Sequence, residues 1–199
     1  MLIDELNLFF KTLENNSIEL YNEAGLQHEI GYFLRTKGYD VKFEYNISLI
    51  EGVEKLICLK SELDIFVKEP VGKSCIEIKF PTKGAYPRRM MQSLIDLFLL
   101  KQLKNAGFVE TIFIFISPLK CFTSGKEAEV IYSYFRKSKD LSKFSITDIP
   151  QFMLGRPEVI ALNKLLNENK LSLAEGSFIK FHELTLCHEL YYYFIISIE

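Results

Sequence analysis

Residues 110–117 read Glu-Thr-Ile-Phe-Ile-Phe-Ile-Ser. An apolar run this short, built from β-branched and aromatic residues, is a strand rather than a helix. It lacks the polar alternation of a half-solvated strand, so both of its faces must be covered. A chain containing it needs a sheet with a layer on each side. The neighbouring segments supply both.

The spacing predicts a helix over 2–15 with Leu2, Leu6, Phe9, Phe10 and Leu13 on one side, interrupted by Asn15, Asn16 and Ser17. It predicts a second over 26–37, closed by Gly38, with Leu26, Ile30, Phe33, Leu34 and Lys37 as the inner stripe. At about 100° per residue, Glu29 falls some 40° from Phe33 and leans toward the sheet. Val41 to Ile50 alternates apolar and polar residues as a half-buried strand, and residues 55–60 extend toward the next. Leu63, Ile65 and Val67 mark one face of that strand, and Ile76, Ile78 and Phe80 one face of its successor. Pro70 and Gly72 join them as a hairpin with a loop longer than the tightest type. A helix over 87–105 follows, with proline in its first turn and Gly107 at its end. On one of its faces Arg88, Gln92 and Asp96 stack at i, i+4 and i+8. This helix is a crossover to the strand at 110–117, right-handed if the strands it joins are parallel. Beyond Pro118 the pattern gives helices over 124–139 and 157–169 around a loop at 141–156. It then gives strands over 178–186 and 190–198 as a hairpin, with Cys187, His188 and Glu189 at the turn.

At 199 residues the chain is expected to be one domain. Its formal charge of -2 offers no global attraction for nucleic acid, so any such attraction must be local. The first ten residues carry Asp4 and Glu5 and no basic residue, unlike a secretory signal. No apolar run reaches the length of a membrane span. Cys58, Cys75, Cys121 and Cys187 have no paired spacing and read as thiols in a reducing cytosol, so a cytoplasmic protein without a zinc site is expected. His182 and His188 do not form H-E-x-x-H and read as ordinary surface or core histidines. The phosphate-loop, dinucleotide and G-x-S-x-G patterns are absent.

The chemistry concentrates between Ser61 and Phe80. Strand alternation puts Glu77 and Lys79 on one face, and Asp64 opposite Leu63, Ile65 and Val67. Adjacent strands thus bring Asp64, Glu77 and Lys79 together beside apolar residues. Charge in such a place is costly unless it is paired or holds a metal. Two carboxylates suit Mg²⁺, which fills its remaining positions with water. A lysine beside them can orient a water or stabilise charge growing on a phosphate. The plain alternative is a cross-strand ion pair.

Asp64 followed by Glu77-Ile78-Lys79, within the order helix, three strands, helix, strand, resembles the PD-(D/E)xK nuclease superfamily. Leu63 stands where the signature has proline. The resemblance covers residues 25–118. It implies a restriction-endonuclease-like αβββαβ core, a mixed sheet flanked by helices, with residues 119–199 as a C-terminal extension of helices and a β-hairpin. It also implies a metal-dependent nuclease acting on DNA. Asp64, Glu77 and the backbone carbonyl of Ile78 would hold Mg²⁺ or Mn²⁺, and Lys79 would position the attacking water. Glu29 and Gln92 would support the site from the two helices. Between Lys79 and Lys104 the basic residues are Lys79, Lys83, Arg88, Arg89, Lys101 and Lys104, against Asp96 alone, an excess of +5. Lys83, Arg88 and Arg89 are the candidate phosphate contacts, and Phe80 and Tyr86 candidate stacking partners for bases. A non-catalytic nucleic-acid-binding or assembly module on the same fold is the alternative, and a protein-interaction domain a third reading. DNA against RNA, cleavage specificity and a homodimer stay open.

Overall fold

The computed structural model describes residues 1–14, 19–53, 60–82, 86–123, 134, 144–157, 159–160, 162–163 and 181–198. The elements are helix α1 (Leu2–Leu13), helix α2 (Glu23–Thr36), strands β1 (Asp40–Asn46), β2 (Glu62–Glu69) and β3 (Gly72–Lys79), helix α3 (Tyr86–Asn105), and strands β4 (Thr111–Ser117), β5 (His182–Leu186) and β6 (Glu189–Ser197). The six strands form one mixed sheet in the order β1-β2-β3-β4-β6-β5. β3 and β4 run parallel, joined through α3, and the other four neighbouring pairs are antiparallel. The fold is therefore α/β. No described helix is long and apolar enough to cross a membrane.

The isoleucine–phenylalanine alternation of β4 sorts its side chains between two cores. Ile112, Ile114 and Ile116 pack with α1 and α2, together with Ile65, Val67, Ile76 and Ile78. Phe113 and Phe115 face α3, with Cys75, Met90, Leu94 and Phe194. Every residue of β4 is buried, and each phenylalanine so covered contributes about 1.5–3 kcal/mol. α2 approaches β1 closely because residue 31 is glycine. A Cβ there would lie 2.1 Å from the ring of Phe43. At the other end of the sheet, the buried carboxylate of Glu110 accepts the N–H groups of Leu2, at 2.5 Å, and Ile3, at 3.2 Å. It satisfies donors that the first turn of α1 otherwise leaves unpaired.

Several boundaries differ from the sequence reading. α2 begins three residues early because the Asn22 side chain accepts the Gly25 N–H at 2.8 Å, capping a first turn that carries no apolar stripe. β1 stops at Asn46, whose side chain accepts the Ser48 N–H and starts a 3-10 turn at Ile47–Leu49. The β2–β3 loop is tighter than expected. Glu69 pairs with Gly72 across two residues, and Gly72, at φ +150, takes a conformation side chains resist. Leu63 packs in the α3 layer instead of with Ile65 and Val67, next to the point where regular β2–β3 pairing ends. The hairpin near the C-terminus turns on Cys187 and His188, both at positive φ (+47 and +70), as the tightest hairpins require, and Glu189 already belongs to β6. Residues 144–156 hold 3-10 turns at Ile146–Asp148 and Gln151–Met153, residues 157, 159–160 and 162–163 are helical, and residues 141–143, 158 and 161 lie outside the described residues. Residues 55–59, 164–169 and 178–180, and all of 124–139 except Tyr134, lie outside the described residues.

Candidate functional site

Backbone pairing between β2 and β3 runs from Glu69–Gly72 to Ile65–Ile76. At the next position a side chain takes over. Asp64 Oδ2 accepts the main-chain N–H of Ile78 at 2.7 Å. That bond fixes the carboxylate plane and turns Oδ1 toward Lys60, which stands just before β2. The Lys60 ammonium lies 2.5 Å from Asp64 Oδ1 and 2.5 Å from Glu77 Oε2. Two carboxylates from adjacent strands thus share one cation. Glu77 is fully buried, and its other oxygen, Oε1, has no hydrogen-bond partner among the described residues.

Lys79 occupies a second half of the cluster. Its Nζ lies 2.9 Å from Asp96 Oδ2 on α3 and 3.7 Å from Glu23 Oε1 on the first turn of α2. It also donates to the Ile78 carbonyl at 3.1 Å. Glu23 Oε2 accepts the Phe80 N–H at 3.1 Å, which ties α2 to the end of β3. One helical turn further on, buried Gln27 donates to the Asp64 main-chain carbonyl and, at 2.9 Å, to Glu44 Oε1. Glu44 lies on β1 between the pairs Phe43–Ile65 and Tyr45–Leu63, so it faces Asp64 across the strands. Its φ of +44 is unusual for a residue with a side chain and costs of order 1–3 kcal/mol. Strain of that size next to Asp64 is held in place by the Gln27 bond.

Burial pushes the Glu77 carboxyl well above the ordinary glutamate range; Asp64 adds to this, and Lys60 opposes it. Asp96 is likewise raised by burial, against the pull of Lys79. Burial alone would lower both lysines. Glu77 and Asp64 instead hold Lys60 above the usual lysine value, and Asp96 and Glu23 do the same for Lys79, so both stay charged. Glu23, Asp64, Glu77 and Asp96 are four carboxylates against two ammoniums, which leaves a formal excess of two negative charges. Burial beside Glu77 also raises the Cys75 thiol, which keeps it protonated and chemically quiet.

Lys60 thus links Asp64 and Glu77, while Lys79, two positions beyond Glu77 on β3, turns to Asp96 and Glu23. Glu29 and Gln92 make no direct contact with these residues among the described ones. Glu29 is half-exposed, with no hydrogen bond or ion pair to the cluster among the described residues. It lies two positions from Gln27, about 160° around the helix. The stripe margin at Phe33 leads toward α1, where Phe33 meets Phe9, and not toward the strands. Gln92 is half-buried and accepts from Arg89 at 3.3 Å, one turn short of the cluster. Its stripe does reach the site, through Asp96. The Ile78 carbonyl is engaged by Lys79. Arg88 and Arg89 are exposed at the start of α3, and Lys83 lies outside the described residues. His182 and His188 stay apart from the site: His182 rests against Tyr193, and His188 forms the hairpin turn. Four participants were not singled out from sequence as site residues: Lys60, Glu23, Gln27 and Asp96.

Among the described residues, no three His, Cys, Asp or Glu side chains gather as a metal ligand set. The pair Asp64 and Glu77 nevertheless fits a hard cation that keeps much of its water, since Mg²⁺ is often held by one or two carboxylates. The oxygen of Glu77 without a partner and the excess negative charge are the features that fit it. Comparison with known proteins finds no match to a family model, a curated protein or a solved structure.

Proposed function

We propose that the chain is a metal-dependent nuclease hydrolysing phosphodiester bonds, with DNA as the first substrate to test. The observation that carries this reading is one cation held between Asp64 and Glu77, with Lys79 on the next outward position of the same strand. Asp64 and Glu77 would hold Mg²⁺ or Mn²⁺. Such an ion lowers the pKa of a bound water and neutralises phosphate oxygens. The Ile78 N–H orients Asp64, and Gln27 holds the Asp64 backbone from α2. Asp96 and Glu23 keep Lys79 charged at the end of β3, where it would position water and meet charge growing on the phosphate. Exposed Arg88 and Arg89 at the start of α3 suit phosphate contacts. The element order from α2 to β4, with β3 and β4 parallel, accords with a restriction-endonuclease-like core, and a cytoplasmic setting goes with this reading.

A second reading is a non-catalytic nucleic-acid-binding or assembly module, favoured by the occupation of the carboxylate pair by Lys60. The test is cleavage of plasmid, linear duplex and single-stranded DNA, and of RNA, with and without Mg²⁺, by the wild type and Asp64→Ala. Mg²⁺-dependent cutting lost in Asp64→Ala supports the nuclease. Metal binding with no cutting of any substrate supports the module.

A further inference from the structure

We propose that Lys60 is an exchangeable occupant of the cation position, displaced when a divalent ion enters and setting the threshold for metal loading. This rests on the metal-centre reading above and adds a regulation to it. The Lys60 ammonium stands at the point nearest both carboxylates, 2.5 Å from an oxygen of each. Ammonium and divalent ion cannot occupy it together.

Three further features favour exchange over a permanent bridge. The ammonium leaves the coordinating capacity of the pair partly unused, since Glu77 Oε1 is buried with no hydrogen-bond partner among the described residues. With all four carboxylates ionised, the cluster carries a formal excess of two negative charges with Lys60 in place. Replacing one positive charge by two reduces that excess to one. Lys60 is also built to leave. It precedes β2, and its side chain is 24% exposed. Its four-carbon stem lets the charge swing to water. Lys79 is its opposite, 11% exposed and bound by Asp96, Glu23 and the Ile78 carbonyl.

If the lysine must vacate the pair first, apparent metal affinity is reduced by the fraction of time it is away. Removing it should therefore tighten binding by about tenfold or more. The experiment is Mn²⁺ titration by calorimetry, with Mn²⁺-dependent melting, on the wild type, Lys60→Met, Lys60→Arg and Asp64→Asn. The expected result is weak binding by the wild type and by Lys60→Arg, tighter binding by Lys60→Met, and none by Asp64→Asn. Lys60→Met leaves two carboxylates without a counter-ion, so its melting temperature should fall without metal and recover in Mn²⁺. A fall that Mn²⁺ does not recover, or a Lys60→Met affinity equal to or below that of the wild type, overturns the exchange while the metal centre stands. If Asp64→Asn binds Mn²⁺ as the wild type does, the metal-centre reading itself is overturned.

Discussion

Lys79 and Asp96 form an ion pair of 2.9 Å between a strand and the helix that follows it, with both residues buried. The pair ties Lys79 to stability as well as to the proposed chemistry. Lys79→Ala is expected to lower cleavage by about 10²–10³, by analogy with deletion of a transition-state donor. It should also destabilise the fold by about 3–5 kcal/mol, because Asp96 is left buried without its cation. The double variant Lys79→Ala, Asp96→Asn should recover much of the stability and none of the cleavage. Urea unfolding and single-turnover cleavage of the three proteins would show this. Full cleavage by the single variant would refute the role of Lys79.

Asp64 accepts the Ile78 N–H on one oxygen and faces Lys60, at the proposed cation position, with the other. Asp64→Ala leaves the buried Ile78 N–H unpaired, a loss of about 1–3 kcal/mol, and removes half of the cation pair. Both metal-dependent stabilisation and cleavage should disappear. Asp64→Asn keeps an acceptor for Ile78, so it should unfold closer to the wild type while still failing to bind Mn²⁺. Denaturant midpoints with and without Mn²⁺ separate the two losses.

Glu77 predicts a particular pH dependence. Burial, with Asp64 nearby, raises its folded carboxyl above the unfolded value of about 4.3. Between the two values the folded state holds a proton that the unfolded state has released. The resulting stability is fully present below the unfolded value and is lost as pH rises through the folded one. In metal-free buffer, Glu77→Gln should lack this component. An identical slope of stability against pH in the two proteins would count against the raised carboxyl.

Glu110 should matter to a helix far from it in sequence. Glu110→Ala removes the acceptor for two first-turn donors of α1 and should cost about 0.5–2 kcal/mol, the range for losing a cap. Glu110→Gln keeps an acceptor and should cost less. Thermal melts of the two variants suffice. Equal melting of wild type and Glu110→Ala would mean that water replaces the cap without loss.

The strand chemistry was legible because alternation leaves little freedom. Once Ile76 and Ile78 are inward on one side, Glu77 and Lys79 must share the other. The helix chemistry was less so. Glu23 and Gln27 lie in a turn with few apolar residues, and a stripe-based reading starts α2 at Leu26, beyond Glu23. Asn22 followed by Gly25 is the cap that would have extended it. Asp96 was visible on the stripe with Arg88 and Gln92, but spacing alone does not say which turn meets the strand end. Lys60 left no pattern, because a flexible side chain ahead of a strand reaches its partners through tertiary placement and not through periodicity.

The sheet places β6 between β4 and β5, so the strand bordering β4 on one side is made after every other described strand. β4 is complete at Ser117, and β6 begins only at Glu189. On the ribosome, this wholly buried strand therefore emerges with one row of backbone donors and acceptors open, and waits for its partner. An open, apolar strand edge invites pairing with another chain. Nascent chains stalled between these two points should be prone to stick to one another and dependent on chaperones, a hazard that ends when the hairpin docks.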